Sequence, residues 1–332
     1  MTTNITSNTE NIVKNCLDEA HFDELPNYDR GKVRDSYNLP DGRRIMISTD
    51  RQSAFDVILA SVPFKGQVLN QISKFWFDST NHICPNHVIK FPDPNIVITK
   101  NLKMLPIEII VRDYMTGSTE TSIWPMYQKG ERHMYGHAFD DGFVKNQKLK
   151  TTIITPTTKA IQGEHDAPIT ATEIIEKKLL SQETWDEVSK KALALFSEGR
   201  KISSQNGLIL VDTKYEFGID DTGVVTIADE IHTPDSSRFW VKASYKPRML
   251  AKEEPESLDK EFLRLWISQK CDPYTDPIPA IPQKTLVEFS KKYVRLFEQV
   301  TGQKFLNPPE NESIKKRIYK SLSAEFPEYF KK

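Results

Sequence analysis

Leu208-Ile209-Leu210-Val211-Asp212-Thr213-Lys214-Tyr215-Glu216-Phe217 is apolar for four residues and then alternates. Successive side chains of a β-strand point to opposite faces. Asp212, Lys214 and Glu216 therefore share one face, acid, base, acid, while Val211, Thr213, Tyr215 and Phe217 share the other, which can pack on a core. Asp220-Asp221-Thr222-Gly223 reads as a turn into a second strand, Val224–Glu230. The simplest four-residue hairpin pairs Ile219 with Val224, Glu216 with Ile227 and Lys214 with Asp229. Asp229 then lies on the charged face, about 7–8 Å from Glu216, and a Mg²⁺ could bridge the two carboxylates. A slip of one residue would remove this arrangement. Spacing alone fits a solvated strand face with cross-strand salt bridges better than a metal site, so the weight rests on the other segments.

Outward from this hairpin, short strands dominate the first third of the chain. A run ending near Asn38 turns through Leu39-Pro40-Asp41-Gly42 and returns at Ile45–Ser48. Further strands are expected at His87–Phe91, Asn95–Thr99 and Ile107–Arg112, with a helix between Lys65 and Phe77. Trp185, Val188, Ala192, Leu195 and Phe196 recur at helical spacing over 181–198, with Gly199 closing the helix. Two helices are expected in the tail, near 257–269 and 284–301, the second ending at Gly302 and the prolines of 273–282 connecting them. Strands and helices mix without βαβ alternation, which predicts an α+β fold with largely antiparallel sheets. The expected division is an N-terminal lobe over 1–110 and a second lobe over 111–332.

Composition narrows the function. Lys and Arg total 45 against 46 Asp and Glu, so no positive excess exists to hold a nucleic-acid backbone. Cys16, Cys84 and Cys271 are too few and scattered for a disulfide framework. No apolar run reaches the ~20 residues of a membrane helix, and the polar Met1–Thr9 lacks a signal-peptide core. The expectation is a cytoplasmic protein with small-molecule partners, a monomer and a small homo-oligomer both remaining open.

Three segments add phosphate chemistry. Gly31-Lys32-Val33-Arg34-Asp35 sets a glycine beside alternating cations, which suits a phosphate-holding turn as well as an ordinary basic one. Arg112-Asp113-Tyr114-Met115-Thr116-Gly117-Ser118 puts arginine, glycine and hydroxyl at a strand end, where a phosphate monoester can be gripped. Thr233-Pro234-Asp235-Ser236-Ser237-Arg238-Phe239-Trp240 adds hydroxyls and an arginine just after Asp229. His133 and His137 have i, i+4 spacing, but Gly136 and the lack of a HExxH pattern make them surface histidines.

With these segments on the page, the chain resembles the SAICAR synthetase family. The resemblance rests on GKVRD (31–35), TDRQSAFD (49–56), VRDYMTGS (111–118), TPTTKA (155–160), His165-Asp166, GLILVDTKYEFG (207–218) and DEIHTPDSSRFW (229–240), in family order over about residues 28–245. It implies an ATP-dependent, Mg²⁺-using ligase that joins carboxyaminoimidazole ribonucleotide (CAIR) to L-aspartate, with an ATP cleft between two α+β lobes and C-terminal helices. It further implies Gly31, Lys32 and Arg34 at the ATP phosphates, the adenine against Leu102–Met104 and Glu108, and Mg²⁺ on Glu216 and Asp229. Lys214, Asp212 and Arg238 would be catalytic. Arg112, Ser118 and Arg238 would hold the ribonucleotide phosphate, with Ser53, Asp56 and Asp212 at its ribose, imidazole or carboxylate and Ser237 among the substrate-binding residues. Thr157, Lys159, His165 and Asp166 fall on the aspartate side. Asp113 and Met115 depart from the small residue and leucine expected there, and nothing after about residue 250 carries a recognisable motif. A small-molecule kinase would share the metal face and phosphate loop without an aspartate site, and a non-catalytic nucleotide-binding protein would show no turnover.

Overall fold

The computed structural model describes residue 13 and residues 15–55, 57–159, 166–273, 275–309 and 311–331. The chain forms two compact units that are discontinuous in sequence: one comprises 1–75, 87–101 and 262–332, the other 76–86 and 102–261.

In the first unit, the strands Tyr28–Arg30, Arg34–Asn38, Arg43–Ser48, Ile96–Lys100 and Val88–Asp93 lie in that spatial order in one antiparallel sheet. Period-two alternation sends Tyr37, Ile45, Ile47, Ile96 and Ile98 to one buried face. That face is covered by Ile314, Ile318 and Leu322 of a C-terminal helix, Ile314–Glu325, capped by Ser313, and by Phe326, which follows it. Arg317 clamps this helix to Asp93 with two nitrogens at 2.9 and 3.1 Å. The helix is absent from the sequence reading, and residues 262–332 group with the first unit. The expected tail helices occur at Glu261–Ser268 and Gln283–Thr301, the latter stopped by Gly302 in the left-handed conformation at φ 69°.

The second unit is built on the strand Leu208–Ile219. It pairs with Ile107–Met115 on one side and Ser237–Val241 on the other, and further along with Val225–Ala228 and Lys103–Met104. Every pairing is antiparallel, as the α+β expectation requires. Thr213, Tyr215 and Phe217 are buried with Leu210 on one face, against which the helix Gln182–Gln205 packs, whereas Val211, expected there, is turned by a bulge between Leu210 and Asp212 to pack with Tyr114 and Trp240.

Two further expectations fail here. The helix does not close at Gly199 but runs to Gln205. Gly199 is a contact point: a Cβ there would lie 2.3 Å from His232 Cε1 and 2.8 Å from a Leu210 methyl. The hairpin register is also one residue off, with Ile219 opposite Val225, Phe217 opposite Ile227 and Glu216 opposite Ala228. The turn carries one more residue than assumed because Asp220 closes a wider loop. Its amide donates to the Val224 carbonyl at 3.1 Å, and its carboxylate accepts from the amides of Thr222 and Val224, each at 3.0 Å.

Candidate active site

Three strands present same-parity residues on one face of the second unit's sheet. Asp212 on the central strand stands directly opposite Arg112 on one neighbour and Arg238 on the other. Both guanidiniums reach the same carboxylate oxygen: Arg112 Nη1 at 3.1 Å and Arg238 Nη1 at 2.7 Å from Asp212 Oδ2. Arg112 Nε also donates to Thr155 Oγ1 at 2.8 Å. Arg238 Nη2 reaches Glu261 Oε2 at 3.3 Å, while its Nε is buried with no hydrogen-bond partner. Burial works against both cations. At Arg112 it prevails and lowers the pKa, whereas at Arg238 Asp212, Glu261 and Asp259 outweigh it and raise the pKa.

The approach to these arginines is set by backbone. Gly117, at φ 115°, could not carry a Cβ without meeting Ser122 Cβ at 2.2 Å, and the same position is 3.5 Å from Arg238 Nη2. Ser118 Oγ, next in the chain, is buried without a partner. An orphaned guanidinium donor, with a second orphaned hydroxyl next in the chain to the glycine that faces it, suits a phosphate monoester. Ser237, expected here, has the opposite parity. Its hydroxyl bonds Thr213 Oγ1 at 2.7 Å on the core face.

Two residues further along the central strand lies a carboxylate–lysine cluster. Lys214 Nζ donates to Glu108 Oε1 at 2.6 Å and to Glu216 Oε1 at 2.8 Å, and Lys159 Nζ pairs with Glu216 Oε2. Glu108 Oε2 accepts from Thr157 Oγ1 at 3.3 Å. Asp229 joins by a route the hairpin argument missed. Its strand ends at Ala228, and Asp229 takes a left-handed φ of 60°, yet its charge acts on Lys214. Burial disfavours the Lys214 ammonium, but Glu216, Glu108 and Asp229 together hold its pKa well above the ordinary lysine value. Burial would push Glu216 up, but Lys214 and Lys159 hold it down to about 2.

Lys159 is thus a partner of Glu216. Asp166, exposed, acts electrostatically on Glu108, and its neighbour Ala167 accepts the Thr158 amide at 2.9 Å. Met104 lies opposite Gly218, which is two residues beyond Glu216 and on the same face. A Cβ at Gly218 would come within 2.7 Å of Leu102 Cβ, so glycine lets this segment close onto the strand. Glu108 is buried within the cluster by Lys214 and Thr157.

In the first unit, Gly31–Val33 forms the hairpin loop between two strands, with the Gly31 amide bonded to the Arg34 carbonyl at 2.8 Å. A Cβ on Gly31 would sit 2.8 Å from that carbonyl oxygen. The loop is pinned from beneath by Arg51. This side chain pairs with the fully buried Asp35 at 2.6 Å and donates to the carbonyls of Gly31 at 2.8 Å and Lys32 at 3.3 Å. Lys32 is exposed and Arg34 half-buried. Arg51 was not singled out from the sequence, although it lies inside the TDRQSAFD segment. Ser53 sits on a separate hairpin, Arg51–Ala54 with Val57–Ser61, opposite Ile58. Asp56 and His165 lie outside the described residues.

The remaining sequence expectations resolve simply. His133 and His137 lie on a two-stranded hairpin, His137 Nε2 bonding the Ile154 carbonyl oxygen at 2.8 Å. Asp113 points away from Arg112 by strand parity and pairs with Arg200 at 2.5 Å, while Met115 is core. Both departures from the family pattern are therefore packing choices.

Among the described residues, no group of three or more His, Cys, Asp or Glu could hold a metal by itself. Glu216 and Asp229 offer hard oxygen donors. That set suits Mg²⁺, which takes one or two protein carboxylates and completes its shell with phosphate and water.

An antiparallel sheet that carries two arginines on one shared carboxylate beside a lysine–carboxylate cluster is an arrangement suited to an α+β protein that handles phosphates. The chain matches the SAICAR synthetase family over residues 27–281 and belongs to it. It is 51% identical to the phosphoribosylaminoimidazole-succinocarboxamide synthase of Legionella pneumophila, over 92% of this chain and 99% of that protein. It is 48% identical to the chloroplastic synthase of Arabidopsis thaliana, over 94% of this chain and 76% of that one. The fold matches the Saccharomyces cerevisiae SAICAR-synthase complexed with SAICAR at a TM-score of 0.74 and 32% identity, covering 87% and 99% of the two chains.

Proposed function

We propose that the protein catalyses ATP-dependent joining of CAIR to L-aspartate, giving SAICAR, ADP and phosphate in purine biosynthesis, and that it works in the cytoplasm. The observation that carries the site assignment is the shared face of one sheet: Arg112, Asp212 and Arg238 at one end, Glu108, Lys214, Glu216 and Lys159 at the other.

A carboxylate acylates poorly because its leaving group would be oxide. Attack of a CAIR carboxylate oxygen on the γ-phosphorus breaks the bond to the β-bridging oxygen and releases ADP, leaving an acyl phosphate. The aspartate amine then attacks the acyl carbon, phosphate departs, and the nitrogen loses one proton. Arg238, Arg112 and Ser118 anchor the ribonucleotide phosphate, and Asp212 fixes both guanidiniums as their common counter-ion. Lys214, kept charged by the carboxylates around it, and Lys159, paired with Glu216, stabilise the transferring phosphoryl group. Glu216 and Asp229 would hold Mg²⁺, which when bound neutralises charge on the nucleotide phosphates. Glu108 orients Lys214, and Met104 with Leu102 offers apolar surface to the adenine. Gly31, Lys32 and Arg34 hold ATP phosphates on the loop braced by Arg51. The departing phosphate and Asp212 are the two candidate acceptors of the amine's proton. Asp166 and Thr157 are assigned to the aspartate side, and Ser53 and Asp56 to the imidazole ribonucleotide.

The test is ADP release from Mg·ATP and CAIR with and without L-aspartate. Release that requires aspartate, with a succinocarboxamide product of matching mass, supports the assignment. Aspartate-independent release would point to a kinase, and no release to a binding protein.

A further inference from the structure

Arg238 holds its two counter-ions very differently. The Asp212 contact is 2.7 Å, comes from a directly opposed strand residue and is shared with Arg112. The Glu261 contact is 3.3 Å and comes from the first residue of the helix Glu261–Ser268. The Glu261 backbone is pinned independently of its side chain. Asp259 Oδ1 accepts the Glu261 amide at 2.8 Å, and Asp259 Oδ2 accepts the Phe239 amide at 2.8 Å. The Glu261 side chain can therefore turn away while the chain beneath it stays fixed to the Ser237–Val241 strand.

Nη2 of Arg238 also faces Gly117, Arg238 Nε is buried with no partner, and Ser118 Oγ, next to Gly117 in the chain, is likewise buried without one. In charge, Arg112 and Arg238 contribute two positives, and Asp212 and Glu261 two negatives. A buried guanidinium with one edge unpaired would be costly, and Glu261 removes that cost. An arriving dianionic phosphate would meet Glu261 as a like charge at the edge it needs.

We infer that Glu261 is a resident stand-in for the ribonucleotide phosphate: its carboxylate occupies the Nη2 edge of Arg238 and yields it when the phosphate binds. This rests on the reading of Arg238 as an anion-binding residue. Glu261 thereby sets the affinity for the phosphorylated ligand, because each binding event must displace one charge-assisted contact.

The test uses calorimetry on the full chain with a stable probe pair: the carboxamide analogue of the substrate ribonucleotide, and the corresponding riboside without its phosphate. Glu261→Gln keeps the side-chain shape and an acceptor for Nη2 but removes the charge. It is expected to bind the ribonucleotide about fivefold more tightly, in line with release of one partly buried charge-assisted contact, with riboside affinity unchanged. Equal or weaker ribonucleotide binding by Glu261→Gln, alongside a lost preference for the phosphorylated probe in Arg238→Gln, would overturn the stand-in role while leaving the anion site in place. An Arg238→Gln protein that keeps the full preference would overturn the anion site and the stand-in together.

Discussion

Gly199 and His232 are packed so closely that a single methyl group on Gly199 would come within 2.3 Å of the imidazole Cε1. His232 is fully buried, hydrogen-bonded through Nε2 to Tyr215 Oη on the core face of the Leu208–Ile219 strand, and flanked by the edge of Trp76 at 4.7 Å. Burial lowers its pKa to about 3, so it stays neutral. It lies within the loop that runs from Asp229 to the strand Ser237–Val241, and so ties that loop to the strand bearing Lys214 and Glu216. Gly199→Ala should therefore destabilise the protein by about 1–3 kcal/mol through overpacking, despite alanine's better helix propensity. Urea denaturation is the check. A double-mutant cycle with His232→Ala should show coupling of at least ~0.5 kcal/mol, since the smaller residue makes room for the methyl group.

Arg51 should behave as an organiser of the phosphate loop. It satisfies the buried Asp35 carboxylate and two loop carbonyls with a planar fork that lysine cannot reproduce. Arg51→Lys should lower stability by roughly 2–4 kcal/mol, below the ~3–5 kcal/mol of outright loss of a buried partner. It should also raise KM for ATP more than KM for CAIR. Thermal denaturation and steady-state kinetics measure the two effects.

Lys214 is held charged by the carboxylates around it. Lys214→Met should reduce kcat by about 10²–10³-fold, the range seen on removing one donor to developing charge, with KM for CAIR changed much less. Single-turnover ADP formation isolates that step.

Asp259 gives a pH signature. Burial, with repulsion from Glu261, pushes its carboxyl up from 3.8 to about 7 in the folded protein. The native state then binds a proton that the unfolded state has already released. The associated stability is fully present below pH ~4 and is lost as pH rises through about 7. Asp50, raised by burial to about 6, acts in the same direction. Wild-type Tm should fall, relative to Asp259→Asn, between pH 4 and 7, and parallel curves for the two proteins would contradict this.

The sequence made the sheet's two faces legible because strand alternation is local: Asp212, Lys214 and Glu216 on one side, Tyr215 and Phe217 on the other, follow from parity alone. Register was not legible, because it depended on how Asp220 folds its side chain into the turn. Asp229 still reaches Lys214, through a left-handed backbone that no periodicity announces. Gly199 was misread as a helix stop because a glycine demanded by a distant imidazole looks the same, in sequence, as one demanded by a cap. Asp113, Arg51 and Glu261 owe their roles to partners 87, 16 and 23 residues away. The helix Ile314–Glu325 was missed because its apolar face, Ile314, Ile318 and Leu322, is thin and flanked by lysines.

The pairing of Glu216 with Asp229 as the metal-holding carboxylates is the central claim about the site, and the most direct measurement is Mn²⁺ binding in the presence of ADP, read by electron paramagnetic resonance on wild type, Glu216→Gln and Asp229→Asn. Each variant should lose most of the bound-Mn²⁺ signal at concentrations that saturate wild type, while calorimetry shows the ribonucleotide analogue binding both variants nearly as well. Undiminished Mn²⁺ binding in both variants would contradict it and place the metal on other groups.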